Sequence, residues 1–293
     1  MINPRIKAAA NAILPRGVAD FIKGCRCRGT SAHLRYVLKL RKYRSQFAKA
    51  NAAAPSSTIV LPSGCRIVIP SDPDIRDAFE HFGWKDPEMV DEFAGFMKLA
   101  SGKKTLWDVG ALFGVFSFAF ALADPSRRSL AFEPNPVSRG KLEECARLNP
   151  AAKVDAFGLA VGLSGEVVEF ERGFHFTAVA GLETRPSAQN LTQTGTVSID
   201  ELVGKNFSPP DLIKIDVEGH EWEVLQGAKQ LLQSCRPSLS IEIHPGLLAH
   251  KGTSGVAIAD YLETAGYVFY DTQLIQIKKD YFARRDNFRV FAM

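Results

Sequence analysis

One short segment, residues 105–117, constrains the fold of this chain more than any other. It begins as an apolar stretch, which indicates a buried strand, carries Asp108 near its end, and then breaks at Gly110 and Gly114. The residues from 115 to 123 are apolar on nearly every side, so the helix that they predict must be packed inside the protein. The turn therefore lies at the carboxyl end of a buried strand, where open α/β sheets bind ligands. A strand-to-helix turn without a ligand would leave the same pattern.

A second acid, Glu133, ends the next predicted strand at residues 129–132. It lies 19 residues beyond Gly114, and an acid at about that distance from a glycine turn is placed to accept hydrogen bonds from ribose hydroxyls. Glu133 could instead stabilise the dipole of the helix that is predicted after Pro136. The combination with the glycine turn favours the ribose role, so the sequence predicts a nucleoside at this turn.

The spacing of the glycines narrows the class of cofactor. Gly110 and Gly114 follow Asp108 without the Gly-x-Gly-x-x-Gly pattern that dinucleotide-binding folds use to approach a pyrophosphate. The chain also lacks the Gly-Lys-Ser/Thr of a phosphate-binding loop. A nucleoside without phosphates fits better, and S-adenosylmethionine is the common ligand of that kind. Asp108 would then lie near the cationic methionine end of this cofactor, where a carboxylate is electrostatically favourable.

Strand and helix patterns alternate along most of the chain, which predicts a largely parallel sheet covered by helices on both faces. A Pro-Ser-Gly turn joins two short strands ahead of the glycine turn, and residues 167–170 stand out as one strand of an inserted hairpin. Besides the strand before the glycine turn, the predicted strands are 58–61, 65–69, 129–132, 154–157, 167–170, 212–215, 239–243, 267–270 and 288–291, and the predicted helices are 74–81, 87–100, 115–123, 136–148, 221–234 and 255–265.

Six ionisable side chains lie within residues 211–221, around the end of a predicted strand. The period of two in a strand puts Lys214 and Asp216 on one face, and Glu242 and His244 share a face of a later strand in the same way. A buried charge is stable only when it is paired, so we expect an ion pair between Lys214 and Glu242 if the two strands are neighbours. Asp216 and His244 would then lie at the mouth of the site.

Four motifs in this order resemble the FkbM family of S-adenosylmethionine-dependent methyltransferases: Asp108 to Ser117, Phe132 to Pro136, Leu212 to Ala228, and Ile241 to His244. The resemblance implies an α/β, Rossmann-like class I methyltransferase fold, with a mainly parallel sheet of seven strands whose last hairpin includes an antiparallel strand. It also implies O-methylation of a hydroxyl on a sugar, glycan or secondary metabolite, with S-adenosylmethionine as the donor. Leu112 departs from the family, whose members often carry Asn there.

The residues at these strand ends form the predicted site. A base for the attacking hydroxyl could come from His220 or His244, because histidine titrates near neutral pH; each could also be structural. Asp216 and Glu218 could orient the acceptor or the cofactor, and their carboxylate count is too small to predict a metal ion. The predicted catalytic residues are Asp216, Glu218, His220 and His244, and the predicted cofactor-binding residues are Asp108, Gly110, Ala111, Gly114, Ser117, Glu133 and Asn135.

The first 50 residues form a basic arm. They carry 12 Lys and Arg against a single acid, Asp20, for a net charge of +11, whereas the rest of the chain carries −7. Apolar residues at roughly helical spacing between basic ones predict an amphipathic helix over residues 31–50. It could attach to an anionic membrane surface, dock a partner, serve as a transit peptide, or pack on the domain with its charges in water, the role that we favour. We expect an arm and linker over 1–57 and a methyltransferase domain over 58–293.

Other features of the sequence limit location and function. No apolar run approaches the roughly 20 residues that cross a bilayer. The five cysteines lack the spacing of metal or redox sites. We therefore expect a cytoplasmic protein, which would be peripheral at a membrane if the arm binds one.

The acidic body argues against nucleic acid as a partner. A non-catalytic, surface-anchored binding protein on a methyltransferase fold stays open, as does a nicotinamide oxidoreductase, which the glycine spacing disfavours. We expect residues 173–195 and the region around Trp84 to recognise the acceptor.

Overall fold

The computed structural model describes residues 56–61, 63–171, 191–205 and 207–293. The basic arm and most of the predicted acceptor loop at 173–195 lie outside these residues. The end of that loop prediction is wrong, because residues 191–195 pair with a neighbouring strand. Each helix among the described residues is too short or too polar to span a bilayer.

A hairpin and two helices precede the glycine turn. The hairpin is confirmed, although its first strand includes two serines that the sequence assigned to the linker. Each helix begins at a proline, and the carboxylates of Asp72 and Asp86 cap the two helices by accepting backbone N–H hydrogen bonds. The elements of this segment are β1 (Ser56–Val60), β2 (Arg66–Pro70), α1 (Pro73–Glu80), a π-helical turn (His81–Lys85) and α2 (Pro87–Leu99).

The strands that follow build one large sheet and one small one. In chain order they are β3 (Thr105–Val109), β4 (Arg128–Phe132), β5 (Val154–Phe157), β6 (Ala160–Val161), β7 (Val167–Glu171), β8 (Leu191–Val197), β9 (Leu212–Ile215), β10 (Ser238–Ile243), β11 (Phe269–Tyr270), β12 (Gln276–Ile277) and β13 (Phe288–Ala292). Strands β6, β8 and β7 form the small sheet, and the antiparallel pairing of β7 with β8 confirms the inserted hairpin.

The large sheet has eight strands in the order β12-β11-β13-β10-β9-β3-β4-β5. Strands β5, β4, β3, β9 and β10 are parallel, and β13 returns antiparallel beside β10. This is the class I methyltransferase arrangement that the resemblance implies, except that the two-residue strand β12 adds an eighth strand at one edge. The chain moves outward from β3 through β4 to β5 and then crosses back to β9, so the strand order switches beside β3. Ligands of open α/β sheets bind outside the carboxyl ends of strands at such a point.

The helices cover both faces of the large sheet. Their bounds are α3 (Val115–Leu122), α4 (Pro136–Leu148), α5 (Ile199–Gly204), α6 (Glu221–Gln226), α7 (Lys229–Ser234), α8 (Pro245–His250) and α9 (Gly255–Thr264). The single helix predicted over 221–234 is wrong: it is broken between α6 and α7. Gly227 lies at the break, where a Cβ atom would come within 2.2 Å of the carbonyl oxygen of Gly162. The close approach of these two backbones requires glycine and ends the first helix there.

The core divides between the two faces of the sheet. Alternate residues of β3 belong to different apolar clusters: Trp107 packs with the residues of α6 and α7, whereas Leu106 packs with α2 and α3. Leu212 and Ile213 of β9 divide in the same way. This period of two explains why the central strands are apolar on both sides, as expected of a buried parallel sheet. Every residue of β9 is buried, including its lysine.

Asn149 ties the N-terminal hairpin to the domain. Its Oδ1 accepts from the backbone N–H of Val68 (2.9 Å), and its Nδ2 donates to the carbonyls of Val68 (2.6 Å) and Cys145 (2.7 Å). Asn149→Ala leaves these buried groups without partners, so we expect the free energy of unfolding to fall by about 2 kcal/mol in urea denaturation. Gln230→Ala, on the exposed face of α7, is the control; an equal loss in both variants would contradict the role of Asn149.

Candidate functional site

A cavity of about 610 Å³ opens at the carboxyl ends of the central strands. Its size lies within the range of about 300–1,000 Å³ that is usual for small-molecule sites. The glycine turn, the ends of β4, β9 and β10, and residues of α1 and α2 form its wall. The predicted site residues that line the cavity are Gly110, Ala111, Glu133, Asp216, Glu218, His220 and His244.

The glycine turn is held by contacts on both sides. The backbone N–H groups of Gly110 and Ala111 donate to the carbonyl of Phe132 at the end of β4 (3.0 and 3.2 Å). Gly110 has φ of +80°, and a Cβ atom there would lie 1.8 Å from the carbonyl oxygen of Asp216. Glycine is therefore required at this position for both conformation and space. Leu112 also adopts a left-handed conformation, with φ of +50°, which Asn tolerates better than Leu. The departure from the resemblance at Leu112 therefore falls on a backbone conformation that is strained for leucine.

Glu133 faces the cavity with a carboxylate that is fixed by the backbone. Its Oε2 accepts from the N–H of Leu112 (2.9 Å) and its Oε1 from the N–H of Asn135 (2.8 Å). Burial raises the pKa of Glu133 to about 7, although both backbone hydrogen bonds favour the charged form. Each oxygen keeps a lone pair that a ligand hydroxyl can use.

Four predicted cofactor-binding residues lie behind the cavity wall rather than on it: Asp108, Gly114, Ser117 and Asn135. The Oδ2 of Asp108 accepts from Ser117 Oγ (2.6 Å), which in turn accepts from Ser129 Oγ (2.9 Å). Asn135 caps α4 through the N–H of Val137. These residues support the turn from the side that faces away from the cavity. Within the part of the chain that the structure describes, the Oδ1 of Asp108 is buried without a hydrogen-bond partner, and burial raises the pKa of this carboxyl.

Lys214 lines the base of the cavity, with 3% of its surface exposed. Its ammonium donates to Asp216 Oδ2 (3.0 Å) and lies 4.7 Å from the ring centre of Phe116. The predicted ion pair with Glu242 is wrong. The parallel register places Lys214 beside Ser240 of β10, and Glu242 lies two residues further along that strand. Burial opposes the charges of both groups, but their attraction lowers the pKa of Asp216 and raises that of Lys214.

Glu242 binds Arg289 instead. Arg289 faces it across the antiparallel pair of β10 and β13, and its Nη2 donates to Glu242 Oε1 (2.7 Å). The Nε of the same guanidinium lies 2.7 Å from an oxygen of the buried Glu92 in α2. Burial, and then the charge of Asp216, raise the pKa of Glu242 to about 8. Neither Glu92 nor Arg289 was predicted from the sequence. Glu92 could have been found, because it is an acid among the apolar residues on the buried face of α2.

His244 is held in one orientation by Glu221. Its Nδ1 lies 2.6 Å from Glu221 Oε1, and its Nε2 lies 3.5 Å from Glu218 Oε2 and 3.8 Å from Glu242 Oε1. Burial opposes a charge on the imidazole, but the hydrogen bond to Glu221 and the nearby carboxylates outweigh it and raise the pKa of His244 to about 9. The prediction that Asp216 and His244 share the mouth of the site agrees with this geometry, since both line the cavity.

Glu218 and His220 complete this side of the cavity. Glu218 has φ of +50°, an uncommon conformation for a residue other than glycine. Burial, and then the charge of Asp216, raise its pKa to about 7. His220 precedes α6 directly, and burial together with the charge of Lys251 lowers its pKa. The charge of Glu223 and a backbone hydrogen bond with Val217 oppose this lowering of the pKa of His220, whereas the imidazole of His244 is held by a fully buried carboxylate, that of Glu221.

The opposite wall comes from the segment before β3. His81 and Phe82 of the π-helical turn line the cavity with Met89 of α2, and Phe116 of α3 faces them. The rings of Phe82 and Phe116 meet edge to face at 4.8 Å. This wall contains the region around Trp84 that the sequence predicts to recognise the acceptor. Aromatic rings beside carboxylates and a histidine can bind a polar ligand with apolar faces, such as a sugar.

Residues 108–269 match the family model described as the methyltransferase FkbM domain. A hexuronic acid methyltransferase, AglP, of Haloferax volcanii is 34% identical over 215 residues, which span 72% of this chain and 84% of that relative. Among solved structures, a methyltransferase FkbM of Methylobacillus flagellatus is 14% identical with a TM-score of 0.43, over 75% of this chain and 58% of the other. A precorrin-6y C5,15-methyltransferase of Geobacter metallireducens is 13% identical with a TM-score of 0.41, over 73% and 94%.

The buried ion pair of Lys214 with Asp216 predicts a stability effect. Lys214→Met removes the cation and leaves carboxylates buried without it, so we expect the free energy of unfolding to fall by about 3–5 kcal/mol. Lys104→Met is the matched control, because Lys104 pairs with Asp124 at the same distance, 3.0 Å, on an exposed surface, where such pairs contribute little. Urea denaturation of both variants measures the difference. Equal losses would show that burial does not decide the strength of the Lys214 pair.

Proposed function

Because the chain belongs to the FkbM family of S-adenosylmethionine-dependent methyltransferases, we propose that it methylates a hydroxyl of a uronic acid residue, with donor and acceptor bound in the same cavity. The observation that carries the proposal is a juxtaposition. Glu133 lies on one side of the glycine turn, and Asp216, Glu218 and His244 lie on the other, all lining one cavity. We call these last three residues the acidic corner.

The residues present fit the donor. The two hydrogen-bonded oxygens of Glu133 face the cavity and can accept from the ribose hydroxyls. Apolar side chains after β4 and β5, among them Pro134 and Leu159, line the wall beside Glu133 and would hold the adenine. The backbone of Gly110 and Ala111 leads from there to Asp216, so the methionine end would follow the turn toward the acidic corner.

S-Adenosylmethionine supplies a methyl group on a positively charged sulfur, and the acceptor oxygen bonds to this carbon as the carbon–sulfur bond breaks and its electron pair goes to sulfur. The protein must align the acceptor hydroxyl and remove its proton. The acidic corner offers two carboxylates and an imidazole for both tasks. Asp216 is further fixed by Lys214, and His244 by Glu221.

We assign the activation of the hydroxyl to His244 rather than His220. Because the pKa of His244 is raised to about 9, the neutral imidazole that can accept the proton becomes more abundant as the pH rises toward that value. The Nδ1 of His244 is held by Glu221, and its Nε2 is directed toward Glu218. His220 lines the same cavity but lies at the start of α6. Asp216 and Glu218 would then orient the acceptor hydroxyl. Four predicted cofactor-binding residues lie behind the cavity wall: Asp108, Gly114, Ser117 and Asn135. We propose that they act by shaping the turn rather than by contacting the cofactor.

The nature of the acceptor rests on the relative from Haloferax volcanii, which is named for hexuronic acid. That relative covers 72% of this chain, so it extends well beyond the methyltransferase motifs. The cavity wall of His81, Phe82 and Met89 would contact the sugar ring. The predicted domain boundary at residue 58 and the attachment of the basic arm to an anionic membrane surface remain predictions. A membrane-bound glycan acceptor would give the arm a role.

Methyl transfer to paired sugars tests the proposed function. With S-adenosylmethionine labelled in the methyl group, we expect transfer to an oligosaccharide ending in a uronic acid. We expect at least tenfold less transfer to the same oligosaccharide ending in the neutral hexose. Equal transfer to both would contradict the acceptor class, and S-adenosylhomocysteine binding without transfer to either would favour the non-catalytic alternative.

The same assay tests the two histidines at saturating donor. We expect His244→Ala to lower turnover by about 10²-fold or more, the usual contribution of proton transfer by a positioned group. His220→Ala should stay within a few-fold of the unmodified enzyme. Full turnover in both variants would contradict a role for either histidine in activating the hydroxyl.

The pKa of Glu133, about 7, predicts a pH dependence of donor binding. Ribose hydroxyls bind best to the charged carboxylate, so S-adenosylhomocysteine should bind about tenfold more tightly at pH 8 than at pH 6, where most of Glu133 is protonated. The charged groups that face it are Asp108, which raises its pKa, and Arg139, which lowers it. Calorimetry at the two pH values measures the ratio. Glu133→Gln should weaken binding and abolish this ratio; an unchanged ratio in the variant would assign it to another group.

A further inference from the structure

We propose that the acidic corner, Asp216, Glu218 and His244, is a binding site for a divalent cation. One ligand atom from each residue lies within 4.8 Å of the other two. Ligand atoms that share one ion at bond lengths of about 2.0–2.3 Å lie about 3–4.5 Å apart. Side-chain rotations that shorten the longest of these separations would therefore bring all three atoms onto a single ion.

The position of the second ring nitrogen of His244, Nε2, also supports a cation at the acidic corner. The residue is 2% exposed, and its Nδ1 is engaged by Glu221 at 2.6 Å. Its Nε2 points into the corner, where the nearest carboxylate oxygens among the described residues are 3.5 and 3.8 Å away, too far for good hydrogen bonds. Among the described residues, the contacts of Nε2 are these two long ion pairs. In the neutral imidazole the lone pair of Nε2 is therefore available to a cation bound at the corner.

Glu221 has the position of an outer-sphere residue of a metal site. It is fully buried, and its Oε1 accepts from the backbone N–H of Gly219 (2.9 Å) as well as contacting His244. Metal-binding histidines usually donate their second N–H to a carboxylate of this kind, which fixes the ring and makes the other nitrogen a better ligand. A buried Glu–His pair is thus expected if His244 binds an ion through Nε2.

The charges around the cavity also favour a cation. Among the described residues, eight carboxylates line it, against two permanently basic side chains, Lys214 and Arg289. Lys214 binds Oδ2 of Asp216, so the other oxygen of that carboxylate is not engaged by it. Arg289 is paired with Glu92 and Glu242. Neither basic residue lies within salt-bridge distance of Glu218, whose ion-pair partner among the described residues is His244, and a divalent ion at the corner would offset the excess negative charge.

The ligand set indicates the class of ion and its role. Two carboxylates and one imidazole suit a first-row divalent ion such as Mn²⁺, and three protein ligands leave coordination positions open. The role of the ion rests on the proposed function: a negatively charged uronic acid would be repelled by a cavity of carboxylates. An ion at the corner could bind oxygens of the acceptor and lower the pKa of its hydroxyl, whose proton then leaves to solvent as the oxygen takes the methyl group. His244 would then activate the hydroxyl as a ligand of the ion, rather than by accepting the proton at Nε2 itself.

Titration of the full-length, metal-free protein with Mn²⁺ tests the site, because bound Mn²⁺ loses the electron paramagnetic resonance signal of the free ion. We expect one ion per chain. Glu218→Gln and His244→Gln should each weaken binding at least tenfold, and Glu221→Gln by about 10–100-fold as an outer-sphere change. Glu88→Gln, which removes a carboxylate from the same cavity outside the corner, should bind Mn²⁺ like the unmodified protein.

Two results would overturn the proposal: no Mn²⁺ binding by the unmodified protein, or equal weakening in Glu88→Gln and Glu218→Gln. Circular dichroism shows that each variant is folded before it is titrated. Calorimetry with S-adenosylhomocysteine, carried out on the metal-free protein, separates this proposal from the proposed function. Cofactor binding with no Mn²⁺ binding overturns the metal site alone, whereas Mn²⁺ binding by a protein that methylates no sugar overturns the acceptor and leaves the site standing.

Discussion

The contact between Gly110 and the end of β9 is the constraint on which the site depends. The N–H of Asp216 donates to the carbonyl of Val109 (3.0 Å), and no side chain fits between Gly110 and the carbonyl of Asp216. The turn to which we assign the donor therefore touches the residue that begins the acidic corner. Because both are backbone contacts between adjacent parallel strands, the distance between donor and acceptor sites is set by the sheet itself.

The buried charged groups at this edge of the sheet support the proposed function and do little to stabilise the fold. Glu92 and Lys214 are buried and Arg289 is half-buried at the base of the cavity, and burial raises the pKa of Glu92 and of Glu242. Such groups are costly to remove from water, and apolar residues of the same size would be at least as stable. Their arrangement holds Asp216 and Glu242 in place beneath the proposed acceptor site. Rigid support of reacting groups is what a methyl transfer requires, since alignment is most of the catalysis.

The strand ends were predictable from the sequence because they are local. The acid after each strand and the glycines after β3 can be recognised in the sequence without knowing which strands pair. The family motifs coincide with these residues. The partner of Lys214 was not predictable in this way, since it depends on the register of β9 against β10, which sets Ser240 rather than Glu242 beside it. Arg289 lies 47 residues from Glu242 and meets it only through the antiparallel return of β13. The split of the predicted helix at Gly227 likewise depends on a distant backbone, that of Gly162.

The central claim is that one cavity aligns the donor and the acceptor across the glycine turn. A crystal structure of the protein with S-adenosylhomocysteine tests it most directly. We predict that the ribose hydroxyls contact Glu133 and that the sulfur points toward Asp216, Glu218 and His244. A sulfur directed away from these three residues, or a ribose with no contact to Glu133, would contradict the account.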